Sequence, residues 1–311
     1  MAELRPLSDA DPAALAALLG ARHGRHRAAE PLLAPADAAA EIDDLLGRQR
    51  LSGVVAVDGG EVVGYLAGEL RENRVWGTHA WVAHGAHAAA GPELMRDLYA
   101  AAAPAWIEAG ARLHLALVPA TGDQMDPWYR LGFGQMQVEG IRQSGAQPRP
   151  LPDGLTVRIA VREDLPRVGE EHGMLVWEHQ QRAATFTGAQ PPDREAVVAN
   201  WLETFDEEVE TLFVAERGGE LLGSTLYGRP PHAFGIPNDT VWLEFAAVLP
   251  RARGQGVGRG LAEASFVWAR EAGYGTIITD WRAANLLASR FWPARGFRPA
   301  FHRMHRMTGI G

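Results

Sequence analysis

The chain has 311 residues, a formal net charge of −8, 47% apolar residues, no Cys and no Lys. Two domains of ordinary size fit that length, whereas disulfides, thiolate metal sites, cysteine nucleophiles and Schiff-base lysines are excluded. The acidic balance speaks against a nucleic-acid partner, which needs a basic face, and favours a cationic one.

No segment reaches the roughly 20 uninterrupted apolar residues of a membrane span. The opening residues lack the basic-then-apolar layout of a signal peptide, so the expected location is the cytoplasm, with no membrane partner.

In chain order, residues 4–6 read as a short strand and 11–19 as a helix started by Asp11 and Pro12. Residues 35–50 read as a second helix opened by Pro35. Residues 55–66 form a hairpin pattern, with Asp58, Gly59 and Gly60 as the turn between β-branched runs. The pattern returns at 214–223 around Gly218 and Gly219. Trp128, Gly132 and Phe133 are likewise mirrored by Trp292, Gly296 and Phe297, and Glu108 with Gly110 by Glu271 with Gly273. The chain therefore reads as a duplication of one unit: a first domain over 1–143, a Pro- and Gly-rich linker over 144–154, and a second domain over 155–311. Within the second domain the pattern predicts a strand over 155–159, helices near 164–181 and 192–208, a strand over 241–249, another over 276–280, a helix from Asn285 and a terminal strand pair near 297–307. Alternating strands and helices imply an α/β (α+β) fold, each half a mixed sheet flanked by helices.

The most informative stretch follows the strand that Pro250 stops. Gly254, Gly256 and Gly258 alternate, and Val257, Leu261, Ala264 and Trp268 then recur at helical spacing. Backbone N–H groups bare of side chains at a helix N-terminus suit a phosphate or pyrophosphate, and Arg251, Arg253 and Arg259 add charge. The same glycines would also serve a turn that merely packs a helix on a sheet. The run is not a Walker loop, which needs Lys, nor a dinucleotide fingerprint, whose glycine spacing differs.

Arg253, Gly256 and Gly258, followed by Asn285, Ala288, Trp292, Gly296 and Phe297, resemble the two signature elements of the GNAT superfamily of N-acetyltransferases. The resemblance implies two tandem GNAT-like domains and acetyl-CoA as co-substrate, with no metal. It implies a cofactor site of Ala246, Ala247, Val248, Arg253, Gly254, Gln255, Gly256, Val257, Gly258, Arg259, Asn285 and Trp292. It implies backbone N–H donors near 246–248 for the oxyanion, and Glu244 as general base. Glu244 interrupts an apolar strand, where a carboxylate gains basicity, although a strand-edge Glu facing solvent is the plainer alternative. Trp292 stands where many members carry a proton-donating Tyr, and an indole is no acid at neutral pH.

Aligning Glu108 with Glu271 puts Glu93 and Met95 over Gly256 and Gly258, so the first copy is expected to have lost the phosphate site. Glu171, His172, Trp177, Glu178 and His179 could border an acceptor pocket or form a solvated helix face. The histidine pairs at 23/26, 84/87 and 302/305 lack the setting of a metal site. The expected activity is direct transfer of an acetyl group to a primary amine of a small molecule or peptide by a monomer or homodimer. The alternative is a non-catalytic acyl-CoA-binding or regulatory protein.

Overall fold

The computed structural model describes residues 2–73, 76–146, 149–175, 178, 195 and 211–309. In the first half β1 (Glu3–Pro6), α1 (Pro12–Ala29) and α2 (Ala38–Leu46) precede β2 (Leu51–Asp58), β3 (Glu61–Asn73), β4 (Gly77–Val82) and β5 (His87–Ala89); α3 (Pro92–Glu108), β6 (Leu113–Pro119), α4 (Gly122–Arg130) and β7 (Gly134–Gln143) follow. The second half holds β8 (Leu155–Ile159), β9 (Thr211–Arg217), β10 (Glu220–Gly228), β11 (Thr240–Val248), α5 (Val257–Glu271), β12 (Thr276–Arg282), α6 (Leu286–Phe291) and β13 (Arg298–Met307).

Local chemistry accounts for the element ends. Asp11 caps α1 by accepting from the Ala13 N–H, and Asp37 caps α2 by accepting from Ala39 and Ala40. The first helix runs ten residues past the expected end at Leu19, to Ala29, because Arg22, His23 and His26 are buried by tertiary packing. The second helix is shorter than 35–50. The expected helix near 164–181 begins as a 3-10 turn (Arg162–Asp164) and contains a π-helical turn (Val168–Gly173). The expected helix at 192–208 lies outside the described residues apart from Glu195.

All the described strands join one sheet, ordered β1-β2-β3-β4-β6-β13-β7-β12-β11-β10-β9-β8, with β5 beside β3. Among the described strands only β4–β6 and β11–β12 are parallel, and each pair is bridged by a helix, α3 and α5 respectively.

The halves exchange their last strands. β7, which ends the first half, pairs with β12, and β13, which ends the second half, pairs with β6. The expected terminal strand pair is therefore one long strand, β13, lying between β6 and β7. Elements that anchor β13 to the first half include buried Glu30, whose carboxylate takes two hydrogen bonds from Arg298 at 2.6 and 2.8 Å, and His26, whose Nε2 lies 2.8 Å from the Ala300 carbonyl. On the other strand, Gly140 lets Trp281 lie against the backbone; a Cβ there would fall 2.7 Å from the indole.

The two sides of the central sheet differ. Val138, Val241, Leu243, Ile277 and Trp281 pack with Val257, Leu261 and Phe266 of α5 in one core. A separate cluster joins Ile141, Ile278 and Phe301 to Leu33, Leu117 and Ile236, so it unites both halves.

Candidate active site

The parallel ladder of β11 and β12 ends at Leu243 and Thr279, although the strands continue to Val248 and Arg282. Thr279 Oγ1 donates to the Leu243 carbonyl at 2.8 Å and marks the last tie. Beyond it the strands form a fork. On its other side β11 stays paired with β10 through Val248, and the register slips so that Tyr227 faces Leu243 while Leu226 faces Phe245. Glu244 is the extra residue of that bulge, and it is exposed. Ala246, Ala247 and Val248 line the branch of the fork leading to the glycine run.

After Pro250–Ala252 the chain turns through Gly254 (φ 77°) and Gly256 (φ 82°), both in the left-handed region that other residues adopt at a cost. Gly256 is the N-cap of α5 and offers no capping side chain, so the first N–H groups of the helix are left to another acceptor. A Cβ at Gly256 would meet Pro152 Cγ at 2.6 Å, and one at Gly258 would lie 3.4 Å from Val248 and Phe291. Around this turn Arg253 Nε donates to the Val248 carbonyl at 3.3 Å. Gln255 accepts from Arg217 at 2.8 Å and donates to the Arg251 carbonyl at 2.7 Å. Arg251 itself is paired with Glu220 at 2.7 Å and Glu171 at 3.5 Å.

Two cations that sequence reasoning missed stand nearby. Arg295 stacks 3.8 Å above the Phe291 ring, and Arg149 pairs loosely with Glu263 at 3.9 Å. Burial lowers the Arg295 pKa, Glu263 opposes that, and Arg259 and Arg149 lower it further, so the three guanidinium groups share one positive field. Asn285 Oδ1 accepts from Leu287 and Ala288 at 3.2 Å and caps α6. Trp292 is buried against Phe291 and Phe297, with ring centroids 4.8 and 5.5 Å away, and forms a wall rather than a proton donor.

At the mouth of the fork sequence reasoning named Glu244 and missed Asp280. These residues follow the last paired positions of the two parallel strands. Asp280 is half-buried, and its direct cross-strand partner is buried Glu139 on the exchanged strand β7. Burial pushes the Asp280 carboxyl up to about 6; Glu139 and Glu244 push the same way, against Arg303 and Arg282. Burial also raises Glu139, yet His232, Arg303 and His302 bring it below the usual carboxylate range. Its oxygens lie 2.8 Å from His232 Nε2 and 3.8 Å from an Arg303 nitrogen. Arg303 donates to Gln137 at 2.8 Å and lies 5.2 Å from the Trp81 ring.

The first half builds the same fork and closes it. Its parallel ladder ends at Val82 and Ala116, so Ala83 and Leu117 stand where the second half has Glu244 and Asp280. Leu117 pairs with Arg303, as Asp280 pairs with Glu139. A 3-10 turn, His84–Ala86, follows, and buried Arg22 fills the gap: its terminal nitrogens donate to the His87 and His84 carbonyls at 2.5 and 2.6 Å. Burial brings the Arg22 pKa down to about 10. Glu93, in the first turn of α3, is engaged by Arg96 at 2.7 Å and by Arg130.

The other singled-out histidines are structural neighbours. His172 is buried, with Nδ1 2.6 Å from Ser224 Oγ, and burial lowers its pKa to about 4. His23 Nε2 lies 2.8 Å from the Ala34 carbonyl. His302 pairs with Gln135, and His305 Nδ1 is 3.1 Å from the Gly134 carbonyl. Trp177 and His179 lie outside the described residues. Among the described residues no three His, Cys, Asp or Glu side chains are grouped to hold a metal, and no helix is long and apolar enough to cross a membrane.

Residues 172–297 match the model of the acetyltransferase (GNAT) family. No curated protein matches the sequence. Among solved structures, a GCN5-related N-acetyltransferase from Sphaerobacter thermophilus is similar over 100% of this chain and 96% of its own, with 18% identity and a TM-score of 0.62. A tandem GNAT protein from the clavulanic acid biosynthesis pathway is similar over 100% of both chains, with 18% identity and a TM-score of 0.52. A glucosamine N-acetyltransferase region of a fungal multi-domain β-N-acetylglucosaminidase is similar over 98% of this chain and 38% of that one, with 15% identity and a TM-score of 0.57. Residues 172–297 thus match the acetyltransferase (GNAT) family, and the chain shares the fold of GCN5-related and tandem GNAT proteins over its whole length.

Proposed function

We propose that the protein is an acetyl-CoA-dependent N-acetyltransferase acting on a primary amine of a small molecule or peptide, with its one cofactor site in the second half. The observation that carries this reading is the fork between β11 and β12 opening directly onto an uncapped, glycine-lined helix N-terminus. Those N–H groups, with Arg259, Arg149 and Arg295, suit the pyrophosphate of the cofactor. Arg253, Gly254, Gln255, Val257 and Gly258 shape that loop, and Asn285 and Trp292 form the far wall. Along 246–248 the N–H groups alternate between β10 and the fork, Ala247 facing β10, so those of Ala246 and Val248 suit the thioester oxygen as it becomes an oxyanion. Glu244, exposed at the mouth, is the carboxylate that meets the amine, directly or through water. The repeats are proposed to be 1–143 and 155–311, joined by 144–154, with their last strands exchanged in the fold.

Transfer balances without a metal: the amine lone pair forms the C–N bond, the C–S bond breaks, and the proton lost by nitrogen ends on the thiolate. Trp292 favours a second reading, an acyl-CoA-binding protein without turnover, because no acidic proton stands at that wall. The two are separated by measuring thiol release from acetyl-CoA across polyamines, aminoglycosides, amino acids and peptide N-termini, with Glu244→Gln as control. Amine-dependent release supports the enzyme, and a fall in the variant at low amine concentration supports the part given to Glu244. Tight acetyl-CoA binding with no release on any amine supports the binding protein.

A further inference from the structure

The fork carries two carboxylates, and their surroundings differ. Glu244 sits exposed on the bulge of β11. Asp280 lies deeper on β12, on the side of the sheet where Ile278 and Ile141 join the cluster shared by both halves. Four charged groups act on Asp280 from the elements around it: Glu139 on β7, Arg303 on β13, Glu244 on β11 and Arg282 on its own strand. Glu139 is itself fixed by His232 and Arg303 and stays ionised, so it presents a standing negative charge across the ladder.

The duplicated half supplies an internal control. The equivalent positions there hold Ala83, Leu117 and Arg303, and Arg22 blocks the fork. All three positions thus carry a carboxylate at the fork that opens on the glycine loop, and none of their equivalents does at the fork that is closed.

We infer that Asp280 is the catalytic residue that accepts the proton of the acceptor amine, with Glu139 of the exchanged strand as its positioning partner, so that the first half completes the active site of the second. This rests on the acetyltransferase reading and refines the part given there to Glu244, which draws in the ammonium group at the mouth. In the step, Asp280 as carboxylate takes one proton from R–NH3+. The freed lone pair attacks the thioester carbon; the C–S bond then breaks, the remaining N–H+ proton passes to the thiolate, and Asp280 returns its proton to water. A carboxylate made more basic by its surroundings is better suited to this than an ordinary one. Burial supplies most of that basicity, and repulsion from Glu139 adds to it without placing a second anion against the thioester.

The test is the pH dependence of kcat/KM at saturating acetyl-CoA for the full chain, beside carbon-13 NMR titration of its Asp carboxyls. In the wild type, activity should fall as pH drops through about 6, where Asp280 becomes protonated. Asp280→Asn should lose at least about 100-fold in kcat with acetyl-CoA affinity retained. Glu139→Gln should move the acidic limb, and the NMR titration of Asp280, to lower pH, a change that a purely structural role would not produce. Glu244→Gln should act mainly on the amine KM. An Asp280→Asn variant with wild-type kcat/KM and an unchanged acidic limb overturns the proposal. If the wild type releases no thiol with any amine, the acetyltransferase reading fails and the proton-accepting role fails with it. The NMR titration then judges the pairing alone, and an Asp280 that titrates at its ordinary value in both proteins overturns that as well.

Discussion

Asp280 and Glu139 face each other across the β7–β12 ladder, one from each half of the chain. Two carboxylates in register on one side of a sheet repel, and the arrangement persists because His232 and Arg303 hold Glu139 while Arg303 and Arg282 also draw on Asp280.

Burial of Asp280, together with that repulsion, has a cost in stability with a definite sign. The folded Asp280 titrates near 6 against an ordinary 3.8, so the folded state favours its protonated form. The benefit is complete below about pH 4 and is lost as pH rises toward 6; above that the ionised group destabilises by up to about 3 kcal/mol. Asp280→Asn should therefore raise the melting temperature at pH 8 and leave it nearly unchanged at pH 4, in thermal unfolding followed by circular dichroism.

The glycine loop separates binding from folding. A Cβ at Gly258 would make only ordinary to slightly tight contacts with Val248 and Phe291, at 3.4 Å, yet would occupy the first turn of α5 where the phosphate would approach. Gly258→Ala is expected to keep a near wild-type melting temperature and lose about 10-fold or more in acetyl-CoA affinity, near 1.4 kcal/mol, as measured by calorimetric titration.

Arg298 and Glu30 pin the exchanged strand. Glu30 is only 5% exposed, and Arg298→Ala would leave its carboxylate with the Leu32 N–H as its remaining hydrogen bond. Urea unfolding should report a loss of about 2–3 kcal/mol for Arg298→Ala, and a smaller loss when Glu30→Gln removes the charge at the same time.

Arg22 closes the first fork. Arg22→Met strips the His84 and His87 carbonyls of their donors, so about 3 kcal/mol of stability should go. The number of acetyl-CoA molecules bound per chain should not rise, because Glu93 still occupies the first turn of α3. Chemical unfolding and calorimetry check the two statements separately.

What could be read from the sequence is what is local. The glycine alternation, the hairpins around Gly59 and Gly218 and the mirrored Trp128 and Trp292 each sit within a few residues, so pattern alone exposes the duplication. The strand exchange could not be read, because β7 and β13 are corresponding strands of two copies and either could complete either half. Their choice depends on distant contacts such as Glu30 with Arg298. Asp280 carried a usable signal, since it interrupts an apolar strand just as Glu244 does; its weight depends on Glu139, which is remote in sequence. Arg22 lay beyond the expected end of its helix, where only tertiary burial extends α1.

The most direct measurement is acetyl-CoA titration by calorimetry with hydrogen exchange on the same samples. One molecule bound per chain, with protection gained over 246–260 and none over 83–96, is the predicted result. Two molecules per chain, or protection over 83–96 in place of 246–260, would contradict the account.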